Sequence, residues 1–481
     1  MNPDYAGLFR ALRPECALVV GALAVIGLDL TLYRSREPAA RFRLALWTGS
    51  LAVSCALFAG LVAARGPVFG AVMVLDDLSV AAREAILVLT LLTLAIAWGG
   101  RPARHPAEFV AVILFAASGL IVMAAARQLL VAYLGLELAS LSLYVLAGFD
   151  PERPESAEAA LKYFLYGGMA AAFLLFGFSL LYGLAGSLDF AQIAAQLRLH
   201  GTSPLLQVAI VMVLVGFGFK AAAAPFHLWA PDVYEGAPAP SAALIASASK
   251  LAGFTLLVRL LWHGLVASPA GSPPWFASVA VIAGASMLLG NLAALAQANV
   301  RRLLAYSAIA HAGTLLLAVM VAGDAGPGAL FYYAATYGVA TVGAFGVIAV
   351  VESQGSCQAL GDLAGLHRRS PLLAGCLAVF ILSLAGIPPL AGFFGKFTVF
   401  TAAFQQGGIA GATGWLAFLA IAMSAVALYY YLIVLKQALV APPVPGAPPI
   451  RVSPVAAAAL LAAAALLVVL GVAPDILLGL F

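Results

Sequence analysis

Six residues of this chain have side chains that exchange protons and stand where hydrocarbon would be expected. Lys220 interrupts the apolar run LVGFGFKAAAAPFHLW, Lys250 lies in APSAALIASASKLAGF, Lys396 closes LAGFFGK and Lys162 lies in ALKYFLYGG. Glu137 is at the centre of YLGLELASLSLYVL, and His311 lies in YSAIAHAG with Tyr306 and Ser307 on the preceding turns. An ammonium or carboxylate in a bilayer costs several kcal/mol at least, so each needs a partner or a task. The chain has only five lysines against nineteen arginines, yet no arginine falls near the centre of an apolar run. A buried lysine can release its proton near neutral pH, whereas arginine cannot. The choice points to proton exchange, with Glu137 set to pair with a lysine and the imidazole able to pass a proton between its two nitrogens. The plainer alternatives are an ion pair that only joins two helices and a histidine that only hydrogen-bonds across them. Lys162, nearer a helix end, could also snorkel to the surface.

Something must hold these groups at depth. With 64% hydrophobic and 9% charged residues and a mean hydropathy of +1.06, the chain is predicted to be an all-α polytopic membrane protein. About fourteen spans follow from the lengths of the apolar runs. They lie near 15–33, 43–63, 78–99, 107–125, 128–148, 160–184, 204–229, 239–263, 274–297, 302–322, 327–351, 372–403, 412–438 and 454–479. The N-terminus reads as a retained first span, and Leu188–Leu199 as an interfacial helix. Pro225 breaks the span of Lys220, and the prolines Pro388 and Pro389 break that of Lys396. Leu390–Lys396 aligns without gaps on Leu214–Lys220, which suggests two interrupted spans in corresponding places, a pointer to a transport site at a repeat interface. Thirteen basic residues, among them Arg101, Arg104, Arg153, Arg301 and Arg302, fall in one set of alternate loops and seven in the other. By the positive-inside rule both termini are predicted outside. His227, after Pro225, is expected to satisfy the broken backbone. Four widely spaced cysteines predict neither a metal site nor a disulfide framework, and a net charge of +4 is too small to imply nucleic acid.

The segments LGLELASLSLYVLAGF, ALKYFLYGG, KAAAAPFHLWAPDVYEGAP, SASKLAGF, RRLLAYSAIAHAG and LAGIPPLAGFFGKF resemble the antiporter-like membrane subunits of respiratory complex I, the proton-translocating NADH-quinone oxidoreductase. The resemblance runs over about residues 107–438. It implies two inverted five-helix repeats, each with a broken helix. The division would be an N-terminal three-helix segment (1–105), a first repeat (106–265), a second repeat (272–438), and a linker with a C-terminal helix (439–481). It implies Glu137 and Lys220 as a coupled pair, Lys250 and His311 as central relays and Lys396 as the exit-side lysine. Lys162 matches a further family lysine. It implies no cofactor or metal in this chain, with NADH, FMN, iron-sulfur clusters and quinone in partner subunits. The partners would be other membrane subunits and the lipid bilayer, and the location a bacterial inner membrane. A cation/proton antiporter subunit or a membrane-bound hydrogenase subunit would use nearly the same lysines. A free-standing solute transporter would need a pocket of selective polar groups, and the sequence shows none.

Overall fold

The computed structural model describes residues 5–63, 65–100, 104–266, 272–355, 357–443 and 448–481. Arg101 and residues 444–447 of the proline-rich linker lie outside them. A short α1 (Tyr5–Ala11) precedes α2 (Arg13–Leu28), which a π-turn prolongs to Tyr33, and α3 (Pro38–Leu61). A small antiparallel hairpin, β1 (Gly66–Val68) with β2 (Met73–Leu75), leads into α4 (Asp77–Ala97). Then come α5 (Pro106–Ala125), α6 (Leu129–Ala147), α7 (Pro154–Ala185), α8 (Phe190–His200), α9 (Pro204–Ala221), α10 (Trp229–Gly236), α11 (Ala239–Ala246) and α12 (Ala248–His263). The second half holds α13 (Phe276–Leu295), α14 (Val300–Ala325), α15 (Gly328–Ser353), α16 (Leu366–Arg369), α17 (Pro371–Ala385), α18 (Ala391–Gly407), α19 (Ala412–Leu439), α20 (Pro454–Val472) and α21 (Asp475–Leu478). Among the described residues thirteen helices are long and apolar enough to cross a membrane, with α17 shorter. Counting α17 with α18 as one interrupted span gives the fourteen expected.

Local chemistry sets the helix starts. Prolines open α3, α5, α7, α9, α17 and α20, where a missing N–H costs nothing. Ser203, Asn299 and Ser453 cap first-turn N–H groups with their side chains. Asp76 and Ser79 form a capping box on α4, and both carboxylate oxygens of Asp76 also accept from Arg259, at 2.7 and 2.8 Å. Burial alone would raise the Asp76 carboxyl, but Arg259 and Ser79 hold it at about 2. The expected interfacial helix is α8, with Asp189 accepting from the Gln192 N–H.

The same backbone pattern occurs twice. Ahead of α6, Leu129 N–H donates to the Leu188 carbonyl and Phe190 N–H to that of Arg127. Ahead of α14, Val300 N–H donates to Gln358 and Leu360 N–H to Ala298 in the same exchange. The helix pairs that flank these exchanges touch through glycine. A Cβ on Gly119 would lie 2.5 Å from the Ala139 nitrogen, and one on Gly290 would lie 2.5 Å from that of Ala310.

The two breaks correspond as well. At the end of α9, Ala222 N–H bonds Phe219 and Ala223 N–H bonds Gly218; at the end of α17, Gly386 N–H bonds Ser383 and Ile387 N–H bonds Leu382. Ala222 (φ 56°) and Gly386 (φ 85°) are both left-handed, and cis peptides follow at Ala224–Pro225 and Pro388–Pro389. This is the usual helix-ending motif, and its register overturns the gapless alignment of Leu390–Lys396 on Leu214–Lys220. Lys220 lies before its break, in the last turn of α9; Lys396 lies after its break, in α18. Common letters in a Leu-, Gly- and Phe-rich chain had aligned the wrong residues.

At these two positions a left-handed backbone costs a residue with a Cβ about 1–2 kcal/mol. Gly386→Ala is expected to lower the melting temperature of the detergent-solubilised protein, since its Cβ would also lie 3.0 Å from Lys396 Cδ. Ala222→Gly should raise it by the same logic, and opposite signs in a thermal-unfolding assay are the check.

Candidate functional site

The three spans least exposed to the outside are α11 with α12, α14 and α15, and they carry Lys250 and His311. Lys250 is 2% exposed; its Nζ donates to the Ala308 carbonyl of α14 at 2.6 Å and lies 5.6 Å from the Tyr337 ring centre on α15. Ser247, between α11 and α12, departs from helical geometry one turn before the lysine, and its Oγ donates to the Ala243 carbonyl at 2.6 Å. One turn beyond Ala308, His311 is held at both ring nitrogens. Nδ1 is 2.6 Å from the Tyr333 hydroxyl and Nε2 is 3.1 Å from that of Tyr431, which in turn lies 2.5 Å from Ser307 Oγ. The Tyr337 ring lies 4.8 Å from the imidazole, between it and Lys250.

Lys396 and His311 share a cavity of about 20 Å³ with Thr314, Tyr333, Asn291 and Tyr430, which suffices for one water. Lys396 Nζ donates to the Ala385 carbonyl at 3.0 Å, at the C-terminal end of α17. Lys220 belongs to the C-terminal end of α9, and its Nζ donates to Ser140 Oγ of α6 at 3.1 Å. Lys220 is thus a residue of the last turn before its break, whereas Lys396 reaches the last turn before its break from the far side. A helix C-terminus carries roughly half a negative charge, which favours a cation there.

Glu137 lies one turn before Ser140 on α6. It is half-buried, and its Oε1 has no hydrogen-bond partner. It makes no ion pair with Lys220 among the described residues. The expected pair is adjacent, not in contact, with Ser140 between. Two carboxylates nearer span ends, Glu15 (7% exposed) and Asp29 (3%), are less exposed than Glu137. Position within an apolar run does not tell which way a helix face points.

Lys162 stands apart from the buried row. Its side chain is 37% exposed and bonds Glu158 at 2.6 Å and Asp232 at 2.5 Å. Asp232 and Glu235 both accept from Arg302, at 2.7 and 2.9 Å. Beside it, Glu352 pairs with buried Arg301 and, at 3.2 Å, with Arg153. His227 meets the backbone at the first break, where its ring hydrogen-bonds at Pro225, while its Nδ1 has no partner. Ser286 Oγ accepts the Ala224 N–H at 2.9 Å, and the Trp229 indole donates to the Phe219 carbonyl at 3.1 Å. Sequence reasoning missed Ser140, Tyr333, Tyr337 and Tyr431. Their signal was the tyrosines inside spans, in LFYYAATYG and ALYYYLIV, which need hydroxyl partners at depth. The four cysteines are free, and no cluster of metal-ligating side chains occurs among the described residues.

Comparison with known proteins gives a consistent answer. The family model described as NADH:quinone oxidoreductase/Mrp antiporter, TM, matches residues 126–424. The chain is 48% identical, over 99% of both chains, to a protein of Acidobacterium capsulatum named NADH-quinone oxidoreductase subunit N 2. It is 39% identical to NADH-quinone oxidoreductase subunit N 1 of Roseiflexus castenholzii, over 97% of this chain and 96% of the other. Among solved structures, a chain of respiratory complex I from Thermus thermophilus superimposes with a TM-score of 0.78 and 36% identity, over 97% of this chain and 98% of that one. A chain of the Mrp complex from Dietzia sp. has the same fold, with a TM-score of 0.82 and 23% identity over 98% and 96% of the two chains.

The two ion-pair groups differ in burial, and that decides their worth. Glu352→Ala leaves fully buried Arg301 without its carboxylate and is expected to cost about 3–5 kcal/mol. Lys162→Ala breaks half-exposed pairs and should cost under about 1 kcal/mol. Thermal unfolding of the purified protein in detergent should rank them in that order.

Proposed function

The chain belongs to the family of NADH:quinone oxidoreductase and Mrp antiporter membrane subunits, and from that premise we propose how it works: as subunit N of an NADH-quinone oxidoreductase, it carries protons along Glu137, Lys220, Lys250, His311 and Lys396. It is a non-redox membrane subunit of a translocating complex, and its partners are other membrane subunits. The observation that carries the mechanism is the buried series itself. Two lysines are seated at the ends of broken helices, and a third lysine and a histidine lie on the central helices, the histidine bonded to hydroxyls on both sides. A relative named as subunit N is 48% identical, whereas the Mrp chain is 23% identical, so the antiporter alternative is not favoured.

A change of charge near Glu137 alters the field at Lys220 through one turn of α6. The ammonium at Lys220 then favours or disfavours a proton on Lys250, by direct repulsion in a medium of low dielectric constant. Lys250 passes its proton toward α14, where His311 takes it at one nitrogen and gives one up at the other, through the hydroxyls of Tyr333 and Tyr431. Lys396 receives it across the small cavity and releases it on the far side. Lys162 acts from outside this row, through the charge it presents at the helix ends. NADH, FMN, iron-sulfur clusters and quinone would be held by partner subunits, and this chain would supply none of their chemistry.

The repeats we assign are 106–265 and 272–438, after an N-terminal segment 1–105 and before a linker and helix 439–481. The duplicated backbone exchanges and breaks support that division. The first copy makes five crossings, α5, α6, α7, α9 and α11 with α12, an odd number, so α13 starts the second copy from the opposite side. The excess of arginine in one set of loops supports a bacterial inner membrane location with both termini outside.

In native membranes at matched assembly, Lys220→Ala, Lys250→Ala and Lys396→Ala are each expected to lower NADH-driven proton pumping roughly ten-fold or more, while Lys162→Ala lowers it less. Unchanged pumping in the first three variants would sink the relay. Tyr333→Phe removes the closer of the two imidazole partners, so it should slow pumping more than Tyr431→Phe; equal and normal rates would show that the hydroxyls only pack.

A further inference from the structure

Apart from the relay row, a groove of about 360 Å³ lies between α4, α15, α20 and α21. Small side chains make the room, Ala81 and Ala85 on α4 and Ala335 on α15, and the walls are otherwise mostly leucine, isoleucine, valine and phenylalanine. From Asp77 to Leu89, both on its wall, α4 rises roughly 18 Å. That is close to one leaflet of a hydrocarbon core roughly 30 Å thick. The inner end is closed by buried Leu89, whose Cδ1 lies 2.9 Å from where a Cβ on Gly338 of α15 would stand. At the outer end Ile476 and Leu480 of α21 remain about half exposed.

Three charged residues line this groove, Arg65, Asp77 and Glu84, all toward the start of α4. Glu84 is held by buried Arg83, whose Nε donates to it at 3.1 Å. The neighbouring Asp76 is taken up by Arg259 and by its own capping box. Arg65 and Asp77 differ, because they pair with each other at the helix start while 67% and 58% exposed. An exposed pair is worth little, so each is free to take another partner. In a membrane-spanning chain such a groove adjoins hydrocarbon, and an unfilled apolar volume there forfeits the contacts of its lining. Water finds too few polar partners along it. An acyl chain matches it in length and chemistry, and the headgroup that comes with the chain then meets Arg65 and Asp77. A cation beside an anion complements a headgroup with both charges, phosphate on the guanidinium and ammonium on the carboxylate. A headgroup with phosphate alone would meet Asp77 as a like charge.

We propose that this groove binds one phospholipid with an amine-bearing, zwitterionic headgroup of the phosphatidylethanolamine kind. One acyl chain lies along α4 from Asp77 to Leu89, with the phosphate on Arg65 and the ammonium on Asp77. The bound chain joins α4 of the N-terminal segment to the enclosed α15 and to the two C-terminal helices. Such a site needs only that the chain spans the bilayer, and it stands whether or not the buried row carries protons.

The test uses the assembled complex in phosphatidylglycerol vesicles that contain a phosphatidylethanolamine with a diazirine near the end of one acyl chain. A phosphatidylglycerol probe with the same chain serves in parallel, and cross-links are read by peptide mass spectrometry after illumination. Expected is labelling of the α4 and α15 peptides that hold Ala85 and Ala335, stronger for the ethanolamine probe by roughly three- to five-fold. Ala85→Phe, which puts a ring into the groove, should lose most of that labelling, and Ala335→Leu is a second block; the exposed Leu51 and Phe58 of α3 should be labelled alike in every variant. Arg65→Gln with Asp77→Asn should keep the labelling and erase the preference. Labelling of α3 without α4 and α15 overturns the lipid site and leaves the groove to a segment of a partner subunit. Labelling that neither blocking variant reduces also overturns the site, and equal labelling of the parent by both probes overturns the choice of headgroup.

Discussion

In hydrocarbon every backbone N–H and C=O must find a partner, and the fold turns on the two places where a helix cannot supply one. At Ala222 and Gly386 the chain turns left-handed and the helix stops. The turning backbone and the Trp229 indole meet some of the last carbonyls, which together form the negative end of the helix dipole. Lys220 in the last turn of α9 and Lys396 on the Ala385 carbonyl put cations at both ends. The lysines and the breaks are thus one device. A broken helix without a cation nearby would leave an uncompensated negative end.

Between those ends, the protein keeps its titratable groups on helices that are almost wholly enclosed. Lys250, His311, Tyr333 and Tyr337 come from α12, α14 and α15, each surrounded by other helices. The hydrogen bonds of His311 go to groups that can change role: a hydroxyl donates or accepts, and imidazole does both at once. The charged pairs of Arg301, Arg302 and Lys162 are placed elsewhere, on one face, where they join α7, α10, α14 and α15. Fixed charge is used for joining helices and exchangeable charge for the interior.

Much of this was legible from the sequence, because hydropathy and proline act locally. Fourteen apolar runs, two breaks and lysines in place of arginines need no tertiary information. What escaped was anything set by direction in space. Glu137 lies mid-run but on a partly outward face of α6, whereas Glu15, close to a helix start, is buried by its neighbours. Lys162, nearer a helix end, was open to a surface role in the sequence and is part-exposed in ion pairs, whereas Lys250 is enclosed. The tyrosines round His311 were hidden because tyrosine in a span is as often an interface residue as a buried one. The gapless alignment of the lysine segments fails for a different reason, since the prolines already stand after Lys220 but before Lys396 in the sequence.

That last point has a mechanical side. Lys220 is covalently part of the half-helix whose end it occupies, so the two travel together however the break bends. Lys396 reaches its carbonyl from the opposite half, across the joint. A small rotation of α18 against α17 would lengthen the contact to Ala385 directly, while the same rotation of α10 against α9 would leave Lys220 where it is. The two ends hold matching charges, but only the second behaves as a latch.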